Sequence, residues 1–134
     1  MNHSDKISKA NNVKSVDAIY ENISIELSKI DILQYVKIYN ERIKASNVMS
    51  TNGKKEPIVK DFEDNVVGVE LLIDSKNRII QFFYISSAIK GYGEKIVSAV
   101  IKATPNEWSV VVLLDWSDGF WPVMAKKYPR LILS

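Results

Sequence analysis

Two apolar stretches separated by a short polar turn constrain the fold of this chain more than any other feature. Residues 66–73 and residues 79–85 are each long enough for one strand, and residues 74–77, Asp-Ser-Lys-Asn, favour a turn. A connection this short joins antiparallel strands, because a parallel pair needs a much longer crossover. The sequence therefore predicts a hairpin. Phe62, ahead of a further turn at residues 63–65, indicates one more short strand, which would extend the hairpin into a meander.

After the second of these strands the apolar pattern changes to a helix and then to a buried strand. Residues 94–103 carry one apolar helical face, and Thr-Pro-Asn at residues 104–106 ends the helix. Residues 108–114 are apolar on both faces, as in a strand that lies between two helical layers. A strand, a helix and a strand in this order predict a right-handed parallel crossover. A final helix at residues 120–128 and a short strand at residues 131–133 follow.

Together these elements predict a single α/β domain. Its mixed sheet would begin with an antiparallel meander and continue with a parallel strand-helix-strand unit, with helices on both faces of the sheet. A chain of 134 residues is long enough for one core and too short for two. We therefore assign residues 15–134 to one domain. Residues 1–14 are rich in Asn, Ser and Lys and are predicted to form a flexible polar tail.

The first part of the domain carries shorter patterns. Between residues 23 and 27 apolar and polar side chains alternate, which predicts a half-buried strand. Residues 47–57 have turn chemistry and no periodicity, which predicts a loop. From Asp31 to Ser46 the chain predicts a core-facing helix, because apolar residues recur at helical spacing: Leu33, Val36, Tyr39 and Ile43.

Composition excludes several classes of function. No apolar run approaches the roughly 20 residues of a membrane-spanning helix, and the polar start has no signal-peptide core, so a cytoplasmic location without membrane partners is expected. The chain has no cysteine and a single histidine, His3, which excludes thiolate metal sites and a serine-histidine triad. No metal is therefore expected. A net charge of +2 is far from a nucleic-acid-binding footprint.

The sharpest local feature is the sequence Lys-Gly-Tyr-Gly at residues 90–93, between a predicted strand and a predicted helix. Glycine allows a ligand to approach the backbone closely, and the unpaired N–H groups of a helix's first turn favour an anion such as a pyrophosphate. Taken alone, the same sequence is also compatible with a plain turn.

The order of elements and several short motifs resemble the GCN5-related N-acetyltransferase family over residues 62–128. Asn-Val-Val-Gly-Val at residues 65–69 stands where that family opens a strand with a Val-Gly pair. Ala-Ile-Lys-Gly-Tyr-Gly at residues 88–93 is similar to its motif Gln/Arg-x-x-Gly-x-Gly/Ala. Ser-Asp-Gly-Phe-Trp at residues 117–121, followed by Tyr128, is similar to the start and end of its last helix.

The resemblance implies an N-acetyltransferase that uses acetyl-CoA as acyl donor and an amine or protein as acceptor, by direct attack of the amine on the thioester. Main-chain groups near Phe83 and Ile85 would pair with the pantetheine arm. The coenzyme pyrophosphate would be held by backbone amides of the residues from 90 to 95, namely Lys90, Gly91, Tyr92, Gly93, Glu94 and Lys95.

The chain departs from the family at positions that matter for catalysis. Trp121 stands where the family's tyrosine protonates the departing thiolate, and an indole is not a usable acid near neutral pH. Gln81 stands where a carboxylate is common. Glu70, acting through water, is the candidate base that remains, and Tyr84 is a candidate acid. Ala88 replaces the leading Gln or Arg, a loss that Lys90 could cover as a point charge.

Three functions stay open on the sequence alone. The first is the acetyltransferase. The second is a protein that keeps the fold, with or without coenzyme A binding, and has a binding or regulatory role. The third is an unrelated α/β interaction module. The family usually adds a strand hairpin after its last helix, part of which is missing here, and a homodimer would supply that wall from a second subunit.

Overall fold

We describe the protein from a computed structural model, in which residues 7–9, 17–50, 56–59, 65–87, 89–113 and 119–133 are described. These residues form three helices and a seven-stranded sheet whose strand order follows the chain, β1-β2-β3-β4-β5-β6-β7. In chain order the elements are β1 Ile7–Lys9, α1 Ala18–Ser28, β2 Tyr35–Tyr39, β3 Arg42–Ser46, β4 Val67–Asp74, β5 Ile79–Ser87, α2 Tyr92–Ala103, β6 Ser109–Val112, α3 Phe120–Lys127 and β7 Leu131–Leu133.

The pairing of the strands confirms the α/β class and the mixed sheet. The neighbouring pairs from β1–β2 to β4–β5 are antiparallel, whereas the pairs β5–β6 and β6–β7 are parallel. The predicted hairpin is β4–β5, and the predicted parallel strand-helix-strand unit is β5-α2-β6. The final helix and strand lie close to their predicted bounds as α3 and β7. Phe62, the predicted extra strand of the meander, lies outside the described residues.

The predicted helix at residues 31–46 is wrong, because this segment forms the β2–β3 hairpin. Asn40 and Glu41 both have positive φ, 45° and 61°, which makes the two-residue turn that matches the twist of a hairpin. Val36 and Ile43 are fully buried, as their helical spacing predicted, but they face the core from two different strands. Tyr39 points to the opposite face of the sheet, since side chains alternate along a strand.

The predicted strand at residues 23–27 is also wrong, because these residues lie inside α1. The side chain of Asp17 caps this helix by accepting a hydrogen bond from the Ile19 amide at 3.2 Å. Ile23 and Leu27, four residues apart, are completely buried, and Ile25 between them is 45% exposed. The alternation of apolar and polar residues over five positions is therefore compatible with a strand and with a helix. The Asp17 cap favours the helix.

All three helices lie on one face of the sheet, where the sequence had predicted helices on both faces. The helices lie side by side. Helix α1 contacts α2, and the end residues of α3 contact α2 through Phe120 next to Gly93 and through Tyr128, which donates to Glu94. Two successive right-handed parallel connections that move in one direction along a sheet put their helices on the same side. The core consequently lies between the helices and alternate strand residues such as Leu71, Ile80 and Phe82.

Two short segments complete the sheet. Strand β1, Ile7–Lys9, pairs with β2, so the predicted flexible tail is wrong for these three residues. Residues 56–59 cross the face of the sheet that bears no described helix. The hydroxyl of Ser46 donates to the carbonyl of Ile58 at 2.5 Å, and the hydroxyl of Ser86 donates to the carbonyl of Val59. Within the predicted loop at 47–57, Met49 pairs with Pro57, and Lys37 of β2 donates to Glu56 at 3.0 Å, which fixes part of the loop to the sheet.

Candidate functional site

Strands β5 and β6 separate before β5 ends. Their parallel pairing covers only Ile79 with Ser109, Ile80 with Val110 and Gln81 with Val111. Strand β5 then continues from Phe82 to Ser87, and in the described part of the chain no strand pairs with this second edge of it. We call this opening the β5–β6 gap. On this side, no described strand pairs with the backbone donors and acceptors of β5 beyond Gln81.

A β-bulge lies at the start of the β5–β6 gap. Glu70 of β4 is paired with Tyr84, and Leu71 is paired with Phe82, so that Phe83 is an extra residue on β5. An extra residue bends the strand that carries it and changes the direction of the side chains beside it. The ring of Phe83 contacts the Arg42 guanidinium on the face away from the helices, and Tyr84 lies opposite Glu70 on that face. The sequence predicted Phe83 and Ile85 beside the coenzyme, and both lie along the gap.

The two glycines of the turn before α2 have different roles. Gly91 is the N-cap residue of α2 with φ of 93°, and an added Cβ there would meet no atom within 4 Å. It is therefore required for the conformation of the turn. Gly93 is buried, and a Cβ there would stand 3.0 Å from Cε1 of Phe120. Its small size is required for packing against α3.

The sequence predicted a pyrophosphate site on the backbone amides of residues 90–95, and two of these amides already have partners within the chain. The Tyr92 amide donates to the carbonyl of Ile89 at 3.3 Å. The Gly93 amide donates to the hydroxyl of Ser87 at 3.0 Å. Sequence reasoning missed this use of Ser87. Ala88, the first residue of the motif, lies outside the described residues. Lys90 is exposed at the same turn and could still attract an anion as a point charge.

Glu94 and Tyr92 are held by neighbouring elements. The Glu94 carboxylate accepts hydrogen bonds from Lys127 and from the Tyr128 hydroxyl, each at 3.0 Å, and these bonds lower the pKa of Glu94. The Tyr92 hydroxyl donates to Asp31 at 3.0 Å, which raises the pKa of Tyr92. The charge of Glu94 is consequently turned towards α3 and balanced there.

A cleft of about 680 Å³ runs along α2 from its amino end, between α1 and the end of α3. Gly91, Lys95 and Lys102 line one wall, and Lys29 lines another. The ammonium of Lys95 stacks on the ring of Tyr92 at 4.9 Å from its centroid. Because three lysines and three carboxylates line this cleft, its described walls have no net charge.

The three candidate catalytic residues do not lie together. Glu70 is 7% exposed and forms an ion pair of 2.6 Å with Arg42, on the face of the sheet away from the helices. Tyr84 is its cross-strand partner. Trp121 is 3% exposed and packs on Phe82 at 4.9 Å between ring centroids, inside the helical layer. Glu70 and Tyr84 thus share one face, and Trp121 belongs to the core.

Arg42 is the site residue that sequence reasoning missed. The sequence predicted a helix for its segment, whereas the β3–β4 register places Arg42 diagonally across from Glu70. No local signal in the sequence identifies such a pair, because the two residues are 28 positions apart. The Asn40-Glu41 turn was the one available indication of the hairpin.

We find no group of three or more His, Cys, Asp or Glu side chains that could hold a metal ion among residues 7–9, 17–50, 56–59, 65–87, 89–113 and 119–133. No helix among these residues has the length and apolar character needed to cross a membrane. Comparisons with protein-family models, with curated proteins and with solved structures gave no significant match.

Proposed function

We propose that the protein binds an acyl-coenzyme A in the β5–β6 gap and transfers the acyl group to an amine. The observation that carries this proposal is the early separation of β5 from the parallel strand β6. An extended ligand with amide groups can pair with an unpaired strand edge in the manner of an added strand. The pantetheine arm of coenzyme A has two such amides, and the free edge of β5 offers it main-chain groups from Phe82 onwards.

The amino end of α2 supports the same ligand. The gap leads to the turn at Gly91, where an added Cβ would meet no described atom within 4 Å, so that a ligand could approach the backbone. Lys90 and Lys95 are exposed at this turn, which favours phosphate groups. Because the Tyr92 and Gly93 amides already donate within the chain, we expect these lysines to contribute more than the amides, and binding to weaken with salt.

Acyl transfer in this arrangement depends on positioning. The amine nitrogen forms a bond to the thioester carbonyl carbon, the carbon-sulfur bond breaks, and coenzyme A leaves as thiolate. In our proposal Glu70 accepts the proton of the amine through water, and Tyr84 returns a proton to the thiolate. Both side chains lie on the face of the sheet opposite the helices, so the acceptor would approach from that face.

Isothermal titration with acetyl-CoA at low and high ionic strength tests binding, and thiol release over a panel of amines tests transfer. We expect binding at micromolar to millimolar concentrations that weakens with salt. Gly91→Val, with Gly91→Asn as its matched control, tests the turn. Asn tolerates positive φ better than a β-branched residue, so the loss of folding should be smaller for Asn, whereas both side chains should obstruct the ligand.

A binding or regulatory protein is the second candidate, and a specific observation favours it. Trp121, at the position of the family's acid, is buried against Phe82 and has a packing role. Glu70 is already engaged by Arg42 in an ion pair of 2.6 Å, so its carboxylate has a cationic partner within the protein. Binding of acetyl-CoA without thiol release for any amine would select this candidate over the acyltransferase. If the protein neither binds acetyl-CoA nor releases thiol, the acyltransferase and the coenzyme A-binding regulatory protein are both rejected.

A further inference from the structure

The guanidinium of Arg42 is fixed from two sides beside the β5–β6 gap. Its Nη1 donates to Oε2 of Glu70 at 2.6 Å, and its Cζ lies 5.5 Å from the centroid of the Phe83 ring. The contact with Glu70 uses one carboxylate oxygen and one nitrogen, so it is not the bidentate pair that these groups can form. The side chain of Arg42 remains 36% exposed. Donors of an oriented guanidinium are therefore left for a ligand.

The surroundings of Arg42 carry complementary chemistry. Glu70, whose side chain is only 10% exposed, provides a carboxylate that can receive an ammonium group. Lys44, opposite Glu70 on β3, adds a second positive charge to this face and is 3.9 Å from Glu56. The half-buried rings of Phe83 and Tyr84 form an apolar boundary next to both charges. A cationic group and an anionic group on one small molecule would each find a partner here.

We propose that the amine acceptor of this protein carries a carboxylate that Arg42 binds, and that Glu70 holds the ammonium group of the acceptor before accepting its proton through water. The planar fork of a guanidinium matches a carboxylate in a way that an ammonium does not. A phosphate would carry up to twice the negative charge next to Glu70 and would be repelled more strongly. The acceptor class is therefore an amino acid or a similar small amino-carboxylate. This inference rests on the proposed function for its role in catalysis, although the binding site is testable by itself.

The test compares γ-aminobutyrate with propylamine, which has the same chain without the carboxylate, by amide chemical-shift titration of the full-length protein. We expect wild type to bind γ-aminobutyrate at least tenfold more tightly than propylamine. Arg42→Lys keeps a positive charge for Glu70 but removes the fork, and it should lose most of this preference. Lys44→Gln removes a neighbouring charge on the same face of the sheet, and this variant should retain the preference for γ-aminobutyrate. Circular dichroism and a melting curve establish that each variant is folded.

The outcomes separate this inference from the proposed function. If wild type binds the two amines equally, or if folded Arg42→Lys retains the tenfold preference, the role of Arg42 is wrong whether or not acyl transfer occurs. If the preference is present and depends on Arg42 but no amine releases thiol from acetyl-CoA, the acyltransferase is wrong and the amino-carboxylate site remains.

Discussion

Replacing Gly93 by valine tests whether this residue serves the ligand or the packing of α2 against α3. A Cβ at position 93 would lie 3.0 Å from Cε1 and 3.1 Å from Cζ of Phe120, and 3.4 Å from Cβ of Ser87. The sequence analysis attributed the glycines of residues 90–93 to close approach of a ligand. The contact with Phe120 indicates a packing role for Gly93.

The expected magnitude follows from these distances. Alanine would require the ring of Phe120 to move by a few tenths of an ångström, which we expect to cost about 1 kcal/mol. Valine adds two further methyl groups in the same space and should cost about 2–3 kcal/mol, the upper part of the range for overpacked cores. For a domain of this size that corresponds to a fall in melting temperature of roughly 6–15 °C.

Urea unfolding of four proteins measures the effect: wild type, Gly93→Val, Phe120→Ala and the double variant. If the valine clashes with the ring of Phe120, removing the ring should relieve the clash. The double variant should then be at least about 1 kcal/mol more stable than expected from adding the losses of the two single variants. Gly91→Ala is the matched control, since its strain comes from φ alone and Phe120→Ala should not relieve it. Additive losses at position 93, or an unchanged stability of Gly93→Val, would refute the packing role.

Three further predictions concern stability. Arg130 donates to four backbone carbonyls at and after the end of α2, so Arg130→Ala should lower the free energy of unfolding by about 2–4 kcal/mol, measured by urea unfolding, with Arg130→Lys losing less. Because Lys127 and Tyr128 lower the pKa of Glu94, its contribution to stability should be present above the ordinary carboxyl value of 4.5 and disappear as the pH falls through the lowered value. Unfolding curves of Glu94→Gln should then be less sensitive to pH in this acidic range, and an unchanged dependence would contradict the assignment. Deleting residues 1–12 removes β1 and should lower the melting temperature by several degrees, whereas an unchanged value would show that this strand adds nothing.

The second half of the fold was predictable because its signals are local and redundant. The apolar stretch that became β4, the polar turn after it and the glycines before α2 all indicate the same elements. In the first half the signals conflict. Val36 and Ile43 fit a helical period as well as two strands, and the turn between them, Asn40-Glu41, lacks the glycine that usually identifies a tight hairpin. The sequence pattern was too short to distinguish the two.

The candidate site was predictable in position and less so in detail. The family resemblance led us to expect the coenzyme beside Phe83 and Ile85, and the β5–β6 gap lies beside these residues. The distinct role of Gly93 depends on Phe120, which lies 27 positions later and meets it only in the folded chain. The pair of Arg42 and Glu70 depends on the register of β3 with β4 and on the bulge next to Phe83. Such contacts follow from tertiary structure, and no spacing in the sequence encodes them.

The sequential strand order has a consequence for how the molecule is made. Each strand from β2 to β7 pairs with the strand that precedes it in the chain, so every newly synthesised strand finds its template already present. A chain that folds while it leaves the ribosome can therefore extend the sheet in one direction without waiting for distant segments. The gap between β5 and β6 would form only after α2 has docked and β6 has joined the growing sheet, before α3 and β7 complete the fold. Ligand binding to nascent chains of increasing length would accordingly appear late, once β6 has emerged.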